Sequence, residues 1–195
     1  LVLKETPQSV TKFDVDSVDW AKTTAWGDGG YYGRLFLNIA GREPQGTIPP
    51  NEVEKVKAEI TAKLEALDDE NGDPIGTKVF RPETTYTHVR NVSPDLIVYF
   101  GDLHWRSVGS VGHPSVWTRE NDTGPDDANH AQQGIFLMAE ARDFQRGLFS
   151  KAGGGERKVG LSIYDIAPTV LGAFGIVPPP GMGRNSIGTT SDAEE

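Results

Sequence analysis

Apolar residues recur at intervals of three and four between positions 53 and 67. The series consists of Val53, Val56, Ile60, Leu64 and Leu67. This spacing places side chains on one face of an α-helix. Asn51 precedes the series, and Glu54 lies three positions after Asn51, a pattern typical of a capping box. The pattern therefore predicts a helix that is capped by Asn51 and ends before the solvated acidic run at 68–73.

Three short runs of mainly apolar residues predict β-strands. They are Arg34–Ile39, Asp95–Phe100 and Gly134–Ala139. The second run, DLIVYF, is apolar throughout after its first residue, which is typical of a strand buried on both faces. A further strand or strand pair is predicted over 78–92, where apolar residues recur between polar ones.

The segment 18–33 is rich in glycine and aromatic residues. Its large side chains are Trp20, Trp26, Tyr31 and Tyr32. Each ring carries one polar atom, so the group suits a half-buried surface. Two interpretations remain open at this point: the rings cover the edge of a sheet, or they form a stacking platform for a ligand.

Near the C-terminus, the sequence predicts a second helix. Asp165 is its expected cap, Pro168 falls in the first turn, where a missing N–H costs little, and Gly175 ends the helix before three consecutive prolines. Helices and strands alternate irregularly along the chain. The expected fold class is α/β, a sandwich layer spanning 1–187, with a disordered tail at 188–195.

Composition excludes several classes of function. The 195 residues carry a net charge of −9 and no cysteine. This acidity argues against a nucleic-acid partner, and the lack of cysteine excludes disulfides and thiolate metal sites. No apolar run is long enough to span a membrane. No signal peptide is visible, which favours the cytoplasm, and Leu1 in place of an initiator Met predicts a piece of a longer protein.

The acidic loop 119–137 contains the best candidate for a metal ligand, His130. Its neighbouring carboxylates are Glu120, Asp122, Asp126 and Asp127. A neutral imidazole beside carboxylates suits a divalent cation, and Asp102, after the apolar run, is a further candidate. The alternative is a histidine that forms hydrogen bonds within its own loop. No nucleophile is apparent, because the chain lacks both cysteine and a Gly-x-Ser-x-Gly motif.

Several motifs occur in a characteristic order. They are VDW at 18–20 with Lys22 and Thr23, FLN at 36–38, GREPQG at 41–46, NHAQQGIF at 129–136, DIAPTVL at 165–171, Gly175, and GMGR at 181–184. This combination resembles the C-terminal half of the alkaline phosphatase superfamily, in its type I phosphodiesterase/nucleotide pyrophosphatase branch. The similarity extends to about Ile187 and implies part of an α/β/α sandwich with an incomplete sheet.

The resemblance implies a phosphate-ester substrate and two divalent metals, usually zinc, that flank a Thr or Ser nucleophile. His130 is the implied metal ligand, and Asn38 and Arg42 are the implied substrate-binding residues. The family's nucleophile and other ligands belong to a missing N-terminal half of the same polypeptide. Because one imidazole cannot hold Zn²⁺ tightly, the isolated chain is expected to bind no metal tightly and to be inactive.

Two alternative functions remain open. The chain could be a stand-alone binding module, in which the aromatic segment and Arg42 line a groove for a sugar or a nucleotide. It could also be a fragment of a sulfatase-like enzyme, because sulfatases share the C-terminal pattern but use a modified Cys or Ser as nucleophile.

Overall fold

The computed structural model describes residues 1–120, 128–138 and 160–182. The strands are β1 Thr11–Lys12, β2 Ala25–Asp28, β3 Gly33–Leu37, β4 Lys78–Phe80, β5 Leu96–Tyr99 and β6 Ser110–Val111. The helices are α1 Val53–Glu65, α2 Pro82–Thr85 and α3 Ile166–Ala173. Short 3₁₀ segments span Val15–Ser17, Pro50–Glu52, Phe100–Leu103 and Ile163–Asp165. Two compact units, Leu1–Ile135 and Phe136–Glu195, divide the chain.

A four-stranded antiparallel sheet in the order β2-β3-β5-β4 forms the centre of the first unit. Strand β5 is one of the two inner strands. Its residues Leu96, Ile97 and Val98 are buried, at 0%, 8% and 1% exposure. The prediction of a strand buried on both faces is thus confirmed. Strands β1 and β6 pair separately as a small two-stranded sheet.

Helix α1 is present where the apolar spacing predicts it, and it packs against β4. The predicted capping box is wrong. A 3₁₀ turn over Pro50–Glu52 precedes the helix, so Glu52 rather than Asn51 occupies the cap position, with no side-chain capping bond. Glu54 instead forms an ion pair with Arg81, at 2.5 Å.

Two strand predictions need correction. Over 78–92 only β4 is a strand, and the chain then turns into the short helix α2. Pro82 accounts for the change, because proline cannot donate a ladder hydrogen bond and suits the first position of a helix. Residues 134–138 form no strand, and their apolar side chains are exposed. Ala139 lies outside the described residues.

The second unit contains α3, which begins after Asp165 as expected. Asp165 does not cap α3 with its side chain; its carboxylate accepts a hydrogen bond from the backbone N–H of Ser162, which completes a capping box around the preceding 3₁₀ turn. Gly175 has φ +68°, as the predicted helix end requires. The tail 188–195 lies outside the described residues.

The structure shows a mixed α/β fold with small antiparallel sheets and an incomplete main sheet. Membership of a larger α/β/α sandwich over 1–187 stays a prediction. In the described ranges, no helix combines the length and the apolar character that crossing a bilayer requires.

Candidate functional site

Strand β5 ends in a turn with unusual backbone geometry. Gly101, Asp102 and Leu103 all have positive φ, at 55°, 54° and 74°. A left-handed conformation costs about 1–2 kcal/mol for a non-glycine residue. Leu103 is held in it by burial, since only 8% of the residue is exposed. Strain of this kind concentrates at functional sites, so this turn is a candidate part of one.

Glycine is required at the first position of the turn. A Cβ atom on Gly101 would lie 2.7 Å from Cδ1 of Trp105. The Trp105 ring packs in turn against Trp117, with 4.7 Å between the centroids. His104 closes the same turn, because its Nδ1 lies 2.8 Å from the carbonyl oxygen of Gly101. The aromatic side chains therefore support the strained backbone from one side.

Asp102 is half-exposed and is contacted by two side chains. Lys78 Nζ lies 3.0 Å from Oδ1, and the amide of Gln132 donates a hydrogen bond to the same oxygen at 2.5 Å. Asp102 thus joins the edge strand β4 to the segment 128–135. Its carboxylate is therefore already engaged by Lys78 and Gln132, close in sequence to His130 through Gln132.

His130 is exposed and is held beside the same turn. The side-chain amide of Asn129 donates a 2.6 Å hydrogen bond to the carbonyl oxygen of Leu103. The imidazole of His130 stacks on Tyr31, with 3.8 Å between ring centroids and 26° between ring planes. Arg106 lies over the Tyr31 ring at 5.9 Å. His130 therefore has a defined orientation and an accessible imidazole.

The other histidines have local surroundings of their own. His113 Nε2 lies 2.7 Å from Ser110 Oγ, and His88 lines a surface cavity. Within 1–120, 128–138 and 160–182, no three His, Asp or Glu side chains are grouped to hold a metal ion. Asp122, Asp126 and Asp127 lie outside these ranges. Any metal held by His130 therefore needs ligands from outside the described ranges, and the predicted metal role stays a prediction.

Asn38, a predicted substrate-binding residue, is 1% exposed. Its amide nitrogen lies within 2.8–2.9 Å of the carbonyl oxygens of Trp20, Thr23 and Gln45. These contacts join the start of the aromatic segment to the loop after β3. The structure therefore gives Asn38 a clear structural role, and its role in substrate binding stays a prediction.

Arg42, the other predicted substrate-binding residue, is engaged by two carboxylates. Its terminal nitrogens donate hydrogen bonds to Asp95 at 2.8 and 2.6 Å, and its Nε donates to Glu43 at 2.7 Å. The bonds to Asp95 are the chief reason that the pKa of Arg42 is raised. Its side chain is still 45% exposed. A substrate role for Arg42 stays a prediction, now alongside a structural one.

The aromatic residues before β3 make two different sets of ring contacts. Trp20 meets Trp26 edge to face at 5.0 Å, and Trp26 stacks on Phe36 at 5.4 Å. Trp26 on β2 and Phe36 on β3 are paired in register, so their rings lie together on one face of the sheet. Whether these rings cover the sheet edge or form a stacking platform for a ligand stays a prediction. Tyr31 differs, because its ring stacks on His130.

No protein-family model, curated protein or solved structure matches this chain. The resemblance to the alkaline phosphatase superfamily therefore stays an expectation from the motifs.

Several residues of the site are not identified by the motifs. Tyr31 and Leu103 contribute through contacts with residues that are 99 and 26 positions away in sequence. Gly101-Asp102 directly after an apolar run is a turn signal that sequence alone provides. Nothing in the local sequence pairs Asn129 with Leu103, because only the folded chain brings them together.

Proposed function

We propose that this chain is the C-terminal part of a metal-dependent phosphoric-ester hydrolase of the phosphodiesterase/nucleotide pyrophosphatase type. His130 contributes one metal ligand. The nucleophile, a Thr or Ser, and the remaining ligands of two divalent metals come from a segment outside these 195 residues. The proposal rests on the ordered motifs and on the position of His130.

The observation that best supports the proposal is that His130 is both exposed and restricted in orientation. Its imidazole is accessible, yet Tyr31 and the Asn129–Leu103 hydrogen bond restrict its orientation. A ligand held in one orientation loses little rotational freedom when it binds a metal. Its place beside the strained end of β5 supports a functional role.

The chain's own residues define what this half of the site supplies. A neutral imidazole offers one nitrogen lone pair, and stacking on Tyr31 fixes the ring plane. Asn129 fixes the backbone next to it through Leu103. The divalent metals, when bound in the intact enzyme, would neutralise the attacking and leaving oxygens. Because no three His, Asp or Glu side chains are grouped around an ion site in the described ranges, we expect no turnover without the remaining ligands.

The test uses the complete polypeptide encoded by the reading frame that contains this chain. We expect metal-dependent hydrolysis of bis-p-nitrophenyl phosphate, and His130→Ala should lower kcat/KM by about 100-fold or more while reducing the bound zinc. The matched control is His113→Asn, which retains a polar partner for Ser110 and should leave both quantities unchanged.

Two results would overturn the proposal. One is a His130→Ala variant with full activity and metal content. The other is an upstream sequence that contains neither a Thr or Ser nucleophile nor Asp and His ligands. A modified Cys or Ser in that position would instead favour the sulfatase-like alternative. The isolated 195-residue chain provides a separate check, because its metal-dependent turnover of the same substrate would refute the division of the site.

A further inference from the structure

The surface cavity that His88 lines has a volume of about 230 Å³ and opens on the sheet and the loop that precedes β5. Its lining comprises Tyr32, Arg34, Pro82, Tyr86, His88, Val89, Arg90, Ser93, Pro94 and Ile97. None of these residues belongs to the segment 128–138. Part of the lining comes from the sheet, since Arg34 on β3 is paired in register with Ile97 on β5.

The charge at this cavity is opposite to that of the chain as a whole. Two arginines and a histidine line it, although the protein carries a net charge of −9. Asp28 forms an ion pair with Arg34 at 2.5 Å. In the described ranges, Arg90 has no carboxylate within ion-pair distance.

The acidic residues closest in sequence to the cavity lining already have cationic partners. Glu83 accepts a hydrogen bond from Lys57 at 3.0 Å, and Asp95 binds Arg42. They are therefore poorly placed to neutralise Arg90 as well. The cavity keeps a net positive charge that an anion can complement, and guanidinium groups bind carboxylate and phosphate oxygens with directional hydrogen bonds.

The walls are suited to a flat apolar group. Tyr32 and Tyr86 are 44% and 51% exposed, so part of each tyrosine is accessible to solvent. Pro82, Val89 and Pro94 provide further apolar surface. When a planar ring covers exposed aromatic and aliphatic groups on a concave surface, the burial of apolar surface stabilises the complex. A cation and two aromatic rings on one cavity favour a ligand that has both an anionic group and a ring.

We propose that this cavity binds a small aromatic anion: one planar ring that carries a phosphate, phosphonate or carboxylate group. Arg90 is paired with the anionic group, and Tyr32 and Tyr86 flank the ring. The volume is below the range of about 300–1,000 Å³ typical of sites for drug-sized ligands, so the ligand is of single-ring size. This inference does not rest on the proposed function, because His130 takes no part in it.

The test is a titration of the ¹⁵N-labelled 195-residue chain with phenylphosphonate, followed by two-dimensional NMR. This probe has a carbon–phosphorus bond and no ester, so hydrolysis cannot complicate the result. We expect saturable shifts of the amides at 86–93 and 32–34, with a Kd on the order of 1 mM. Benzoate shows whether a carboxylate replaces the phosphonate. Inorganic phosphate and benzyl alcohol should each bind at least 5-fold more weakly than phenylphosphonate.

Variants identify the groups responsible. Arg90→Ala should weaken phenylphosphonate binding at least 5-fold, and Arg90→Lys, which keeps the charge, should recover part of it. Tyr86→Leu should weaken phenylphosphonate but not inorganic phosphate. The matched control is Arg119→Ala, which removes an exposed arginine outside the cavity and should change nothing.

The proposal is overturned if phenylphosphonate up to 20-fold above the expected Kd shifts no amide at the cavity, or if inorganic phosphate binds equally well. It is also overturned if Arg90→Ala and Arg119→Ala bind the probe equally while both spectra remain dispersed as in the parent chain.

Discussion

Asp95 and Arg42 form a bidentate ion pair, although they are 53 residues apart in sequence. The terminal nitrogens of Arg42 lie 2.8 and 2.6 Å from the two carboxylate oxygens. Asp95 also accepts a 2.7 Å hydrogen bond from the backbone N–H of Leu37. The pair therefore ties the loop after β3 to the start of β5.

Replacing Asp95 with Asn should destabilise the first unit by about 2–3 kcal/mol. The 7% exposed site loses a charged acceptor, while the half-exposed Arg42 keeps access to water, which limits the cost. Urea unfolding followed by tryptophan fluorescence measures it, because all four tryptophans precede residue 135. Glu59→Gln, in an exposed pair with Lys55, is the control and should stay within about 0.5 kcal/mol. Equal effects would contradict the role of Asp95.

Gly46→Ala should destabilise the same unit by about 2–4 kcal/mol. A Cβ atom there would overlap the backbone of Ile39 and Ala40, so the loop that holds Asn38 must move. The control is Gly27→Ala, whose new methyl group would lie 3.9 Å from the carbonyl oxygen of Arg34. Urea denaturation of both variants gives the comparison, and an unfolding midpoint equal to that of the control would refute the overlap.

Asp69 should titrate below its ordinary pKa of 3.8. Backbone hydrogen bonds from Asp73 and Asn71 stabilise its charged form and lower the pKa. A lowered folded-state pKa contributes stability that is fully present above the unfolded pKa and is lost as the pH falls through the folded value. Carboxyl ¹³C NMR of Asp69 in folded chain and in urea measures the difference. The same midpoint in both states would contradict this account.

Asn129→Ala should release His130 from its stacked position. The variant loses the bond to Leu103, worth about 1 kcal/mol, and with it the restraint on the neighbouring ring. Ring stacking shifts the His130 imidazole protons upfield in ¹H NMR, and this shift should shrink in the variant. Tyr31→Leu should abolish the shift, whereas Gln133→Ala should preserve it. An unchanged shift in Asn129→Ala would show that Tyr31 alone holds the imidazole.

Local sequence patterns predict the elements whose cause is local. Helix α1 follows from the apolar spacing, and strand β5 follows from an unbroken apolar run. Gly175 ends α3 because a left-handed backbone favours glycine. The resemblance to the phosphodiesterase branch likewise comes from motifs, and the motifs and the acidic loop both single out His130.

Tertiary contacts decided the rest. The run 134–138 has the composition of a strand. A strand needs a neighbouring strand to form hydrogen bonds with, and in the described structure these residues pair with none. Arg42 and Asp95, like Tyr31 and His130, meet only when distant segments fold together. The sequence thus determined that Asp95 precedes β5 and that Gly101 and Asp102 follow it. Folding determined which of them meet, because hydrogen bonds and ring contacts require proximity in space rather than along the chain.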